Sequence, residues 1–113
     1  MFEKNLEMSF LLDFYGDVLS ERRRAVMTMY YNEDLSLAEI ADEIGISRQG
    51  VRDLIKKSEE ELTLFEEKLG LAKKFARVKA LADELEDLLQ TSDLPSGEKS
   101  KIIGLTEEIK NNT

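Results

Sequence analysis

The chain contains no cysteine, no histidine and no tryptophan, and a single proline. These absences remove thiol nucleophiles, thiolate and imidazole metal ligands, and the commonest general base at neutral pH. No carboxylate cluster, glycine-rich phosphate loop or nucleophile arrangement replaces them, so neither catalysis nor a cofactor nor a metal is expected. The lack of cysteine fits a reducing compartment. No basic-then-apolar leader and no long apolar run opens the chain, so a cytoplasmic protein without membrane contact is expected. Alternation of β-branched and aromatic residues is also scarce, and strands are not expected.

What the chain has is leucine, glutamate, lysine and alanine at helical spacing, which favours an all-α fold. At 113 residues it is long enough for one domain with a core plus an extension. The chain is organised around Ser36 to Lys57, SLAEIADEIGISRQGVRDLIKK. Ser36 is placed to cap a helix, with Glu39 at the capping-box position, and Leu37, Ile40, Ala41 and Ile44 fall on one face. Gly45 ends that helix, Ile46 folds back onto the apolar face, and Ser47 caps a second helix. Val51, Leu54 and Ile55 of the second helix point inward, while Arg48, Gln49, Arg52 and Lys56 point outward. This is the layout of a helix-turn-helix with an exposed recognition helix.

A net charge of −8 opposes binding to a polyanion. Its distribution is uneven. Residues 47 to 57 hold Arg48, Arg52, Lys56 and Lys57 against Asp53 alone, whereas residues 33 to 46 hold Glu33, Asp34, Glu39, Asp42 and Glu43 with no base. Arg22, Arg23 and Arg24 form a second basic cluster at the start of a helix, where cations oppose the helix dipole. That cluster serves either a phosphate or acidic partner or simply a solvated face.

Upstream, Leu6, Phe10, Leu11, Phe14, Tyr15, Val18 and Leu19 mark a first helix within residues 2 to 19, starting near Lys4 or capped by Ser9, with its aromatic residues packed in the core. Ser20 caps a second helix, Glu21 to Tyr31, with Ala25, Val26, Met29 and Tyr30 inward. Downstream the apolar pattern continues from Lys57 through Leu62, Phe65 and Leu69, which predicts an unusually long recognition helix. Gly70 is a stop or a weak point in it. Residues 1–69 are thus expected to form the helix-turn-helix domain and 70–113 a helical extension. In the extension, Phe75, Val78, Leu81, Leu85, Leu88 and Leu89 form a stripe that needs a cover, and a homodimer through this stripe is expected. The acidic block Glu59, Glu60, Glu61, Glu66 and Glu67 and the basic block Lys73, Lys74, Arg77 and Lys79 can pair in a hairpin or between chains, or remain solvated. Gln90 to Gly97 is expected to be a loop. A short last helix, capped by Ser96 or Ser100 and weakened by Gly104, then carries Ile102, Ile103, Leu105 and Ile109 before a fraying end.

The segment YYNEDLSLAEIADEIGISRQGVRDLIKKSEEEL resembles the promoter-reading C-terminal domain of sigma factors, four helices ending in a helix-turn-helix. With LLDFYGDVLSERRRAVMTMYY before it and FEEKLGL after it, the sequence is similar to the YlxM family of small bacterial proteins over about residues 3 to 80. This resemblance implies DNA binding, with base contacts from Arg48, Gln49, Arg52 and Asp53, supported by Lys56 and Lys57 and by Arg22, Arg23 and Arg24. Arg48 and Arg52 would read guanine and Gln49 adenine. Members of the family are encoded beside components of the signal recognition particle, which implies a regulatory role in that pathway. The alternative is an accessory module binding the particle's protein or RNA. Gly50, which loosens the recognition helix, and Asp53, which repels phosphate, depart from a DNA reader.

Overall fold

A computed structural model describes residues 6–113, and among these all regular structure is helical. The chain divides into two compact units, Met1–Gly70 and Leu71–Thr113. In the first, α1 (Leu6–Tyr15) is followed by a 3-10 turn at Gly16–Val18, then α2 (Glu21–Tyr31), α3 (Leu37–Ile44) and α4 (Arg48–Leu69). The second holds α5 (Leu71–Gln90) and α6 (Ser96–Asn111).

In the first unit α1, α2 and α3 all pack on α4, whose 22 residues make it about 33 Å long. Val51, Ile55, Ser58 and Leu62 form its buried stripe, and the Ser58 hydroxyl is satisfied by donating to the Leu54 carbonyl at 2.7 Å. Val26 and Met27 of α2 and Ile40 and Ala41 of α3 complete the core. Gly70, at φ 61°, stops α4: its backbone lies in the left-handed region that glycine adopts without strain. The expected long recognition helix therefore ends at Leu69.

The buried face of the first helical segment matches the expected one at Leu11, Tyr15 and Leu19 and departs from it elsewhere. Met8, Leu11, Leu12 and Tyr15 are buried, whereas Leu6, Phe10 and Val18 are exposed. Residues 6 to 12 are apolar nearly all round, so spacing alone admits more than one inward face. Ser9 lies inside the helix rather than capping it, and a start near Lys4 lies outside the described residues. In α2 Met27 is buried and Ala25 is exposed, reversing the expected assignment of Ala25, since α4 covers the Val26–Met27 side.

Three glutamates of the acidic block join the helices of this unit. Glu59 accepts from the Tyr31 hydroxyl, Glu61 from Arg23 at 2.7 Å, and Glu66 from the Tyr15 hydroxyl at 2.7 Å. Tyr15 also stacks on Phe65, with ring centroids 6.0 Å apart. The carboxylates thus lock α1 and α2 onto the far half of α4. Burial first, and then Glu59, raise the Tyr31 phenol well above its ordinary range, so it remains a donor.

The second unit is an antiparallel hairpin. Its last helix runs 16 residues from Ser96 to Asn111, longer than expected, and helical order continues through Gly104. Pro95 occupies the position before the first turn, so neither Ser96 nor Ser100 caps it. Ala82, Leu89 and Thr106 are buried. Along one edge Lys110 reaches Asp83 at 3.0 Å and Glu86 at 2.9 Å, and the Thr106 hydroxyl donates to Glu86 at 2.6 Å.

Candidate nucleic-acid interface

The helix-turn-helix is built by local rules that the residues obey closely. The Ser36 hydroxyl accepts from the Glu39 amide and the Glu39 carboxylate from the Ser36 amide, each at 3.1 Å, forming a reciprocal capping box. Gly45 takes φ 74°, and the Gly45 and Ile46 amides both donate to the Ala41 carbonyl, at 2.9 and 3.2 Å. The chain is thereby turned within two residues into Ser47, whose hydroxyl accepts from the Gly50 amide at 2.9 Å and starts α4. A Cβ at Gly50 would stand 3.2 Å from Ser47 Oγ and 3.3 Å from Ile46 Cδ1. The glycine therefore lets Ile46 lie close on the first turn of α4, a packing role that its reputation as a helix breaker conceals.

The structure sorts the expected contact residues into separate groups. Arg48, Arg52 and Lys56 stand at steps of four on one flank of α4 and line a cleft of about 740 Å³. Its opposite wall is the first turn of α3, Ser36 to Glu39, together with Tyr30 and the acidic link at Asp34–Leu35. Gln49 lies on the outer face and donates from Nε2 to Asp53 Oδ1 at 3.0 Å, so these two side chains are tied to each other. Helical spacing turns Lys57 away from the cleft, and it is exposed.

The arginine cluster at the start of α2 is divided as well. Arg23 pairs with Glu61, both about one-third exposed, and Arg24 pairs with the exposed Asp17 at 2.7 Å. Arg22 is exposed. Two of the three arginines are therefore used within the domain, and the cluster does not join Arg48, Arg52 and Lys56 along the cleft.

Electrostatically the cleft flank of α4 is arranged against the stability of the protein itself. Arg48, Arg52 and Lys56 make no ion pair among the described residues. Like charges four residues apart on a helix cost about 0.2–0.5 kcal/mol per pair. Arg48 also stands in a first turn with no acid to offset the dipole, unlike the first turns of α1, α2 and α3. Of the carboxylates that share the cleft, Glu39 is held by the Ser36 amide and Glu59 by the Tyr31 hydroxyl, while Asp34 stands on the link between α2 and α3. An anion placed here would relieve the repulsion.

Tyr30, Leu35 and the α3 first turn were not among the residues expected from spacing to form the surface. The capping box at Ser36 locates the α3 N-terminus in the sequence, but only the crossing of α3 over α4 brings it opposite Arg52.

Two helices joined by a glycine turn, with an exposed basic flank on the second, define a helix-turn-helix protein. Comparison with known proteins places it further. Residues 2–102 match the UPF0122 family, described as "Putative helix-turn-helix protein, YlxM / p13 like", and the chain belongs to that family. UPF0122 proteins of Bacillus cereus (strain AH187), Bacillus anthracis (strain A0248) and Bacillus thuringiensis subsp. konkukian (strain 97-27) are each 38% identical to it over 109 residues, covering 96% of this chain and 99% of theirs.

Proposed function

We propose that the protein is a regulatory, non-catalytic DNA-binding protein that grips a phosphate strand in the cleft between α3 and α4 and presents the Gln49–Asp53 edge of α4 to the bases. The observation that carries this reading is the row Arg48, Arg52, Lys56: three exposed cations without ion-pair partners among the described residues, in a chain of net charge −8. Phosphate contacts fix register, whereas groove-facing side chains select sequence. Gln49 must release Asp53 to read adenine, so base selectivity carries the cost of that hydrogen bond.

The test is titration of fluorescent duplexes, selected from random DNA, over a range of salt. Arg52→Ala should weaken binding by about 1–3 kcal/mol on every sequence and lower the salt slope by about one unit. Gln49→Ala should instead change the preferred sequence and leave the slope intact. Unchanged affinity in Arg52→Ala would refute the assignment of the cleft.

A second reading, an accessory module for the signal recognition particle, is favoured by the Gln49–Asp53 hydrogen bond, which places a carboxylate on the outer face of α4. It predicts that the particle's RNA or protein displaces duplex DNA from the full chain, and that no DNA motif is enriched.

A further inference from the structure

We infer that the α5–α6 hairpin is a self-association surface, closed by the same hairpin of a second copy packed antiparallel to the first. The polar bonds of the hairpin fix its geometry. Thr106 bonded to Glu86 and Lys110 bonded to Asp83 set the register, which brings Leu88 level with Leu105 and Leu85 level with Ile109. Lys110, Asp83 and Glu86 occupy one edge of the helix pair. By helical spacing Leu81, Leu85 and Leu88 lie on the other side of the Ala82–Leu89 line, and Leu105 and Ile109 lie on that same side of α6. The opposite edge is therefore a continuous aliphatic face.

That face is open. Leu81, Leu85, Leu88, Leu105 and Ile109 are 46, 45, 63, 55 and 44% exposed. The stripe expected to dimerise divides accordingly: Leu89 is buried, Phe75 and Val78 are half-buried, and the remaining three leucines are outward. A helix pair about 30 Å long and about 20 Å wide offers roughly 600 Å² of footprint, near the roughly 800 Å² per partner of a standard interface.

The occupant is indicated by charge. The first half of α5 carries Lys73, Lys74, Arg77 and Lys79 with no acid, and the second half carries Asp83, Glu84, Glu86 and Asp87 with no base. Arg77 and Glu84 flank the leucine face on the same side of the helix, at one turn either way from Leu81. A second copy running antiparallel, with the two-fold axis beside Leu81, sets each Arg77 against the other copy's Glu84. Parallel packing would set like charges together. Self-complementarity of this kind is what an isologous two-fold interface requires.

The experiment is the solution mass of the full chain across the micromolar range by sedimentation equilibrium, with helix content followed by circular dichroism. The wild type should be a dimer. Leu85→Glu with Leu88→Glu should give a monomer of unchanged helix content. Arg77→Glu alone should weaken the dimer by roughly tenfold or more, about 1.4 kcal/mol, and Arg77→Glu with Glu84→Arg should restore it. A wild-type monomer, or a dimer that survives both leucine substitutions, overturns the proposal. Failure of the double charge reversal to restore the dimer overturns the antiparallel arrangement.

Discussion

The Tyr31–Glu59 hydrogen bond is the contact whose removal tests most directly how α2 is held on α4. Both side chains are half-buried, and the acceptor is a carboxylate. A hydrogen bond to a charged group contributes about 1.5–3 kcal/mol when sheltered, and partial exposure moves this bond to the lower part of that range. A double-mutant cycle of Tyr31→Phe and Glu59→Gln in urea should therefore give a coupling of about 1–2 kcal/mol, the unmade donor or acceptor accounting for much of each single loss. The same bond has a pH signature. The folded phenol titrates above the ordinary tyrosine value of 10.0, so the stability it contributes is complete below that value and is lost as pH rises through the folded one. Tyr31 should then ionise late in an absorbance titration of the folded chain, and Tyr31→Phe should reduce the late step. A coupling under about 0.5 kcal/mol, within ordinary non-additivity, would refute the clamp, as would a late step of unchanged size in Tyr31→Phe.

Two further outcomes follow from the packing. Leu62 is fully buried on the stripe where α4 meets the N-terminal helices, so Leu62→Ala should cost about 2–5 kcal/mol, read as a lower urea midpoint with an unchanged slope. In the hairpin, hydrogen bonds from Thr106 and then Lys110 lower the Glu86 pKa from its ordinary 4.5, and the bonds to Glu86 and Asp83 raise that of Lys110 from 10.5. The stability these shifts contribute is present between those ordinary values. It is lost below as Glu86 protonates and above as Lys110 loses its proton. Circular dichroism over pH should show Lys110→Met reducing the alkaline edge while retaining part of the acid edge, which Thr106 supports independently.

The architecture around the turn was legible in the sequence because its signals are local. A capping serine, a glutamate three residues on, a left-handed glycine and a second capping serine each act on backbone groups within a few residues, and all four make the expected bonds or dihedral. Legibility failed where the local pattern was degenerate. In α1 the run of apolar residues admitted more than one inward face, and contact with α4 selected Met8 and Leu12 over Leu6 and Phe10. The acidic block of α4 fails for a different reason. A glutamate on a helix has the same sequence signature whether it is solvated or clamps a tyrosine 28 or 51 residues away, as Glu59 and Glu66 do.

By itself, the sequence determined the class of the fold, the caps, the turn and the uneven placement of charge, because helix periodicity and capping are short-range properties of the chain. The tertiary structure alone decided which charges are spent and which are available. Crossing helices brought Arg23 to Glu61 and Tyr31 to Glu59, and the same crossing set the α3 first turn opposite Arg48, Arg52 and Lys56. Partners distant in sequence meet only when packing closes the loops between them, and no spacing rule encodes that meeting.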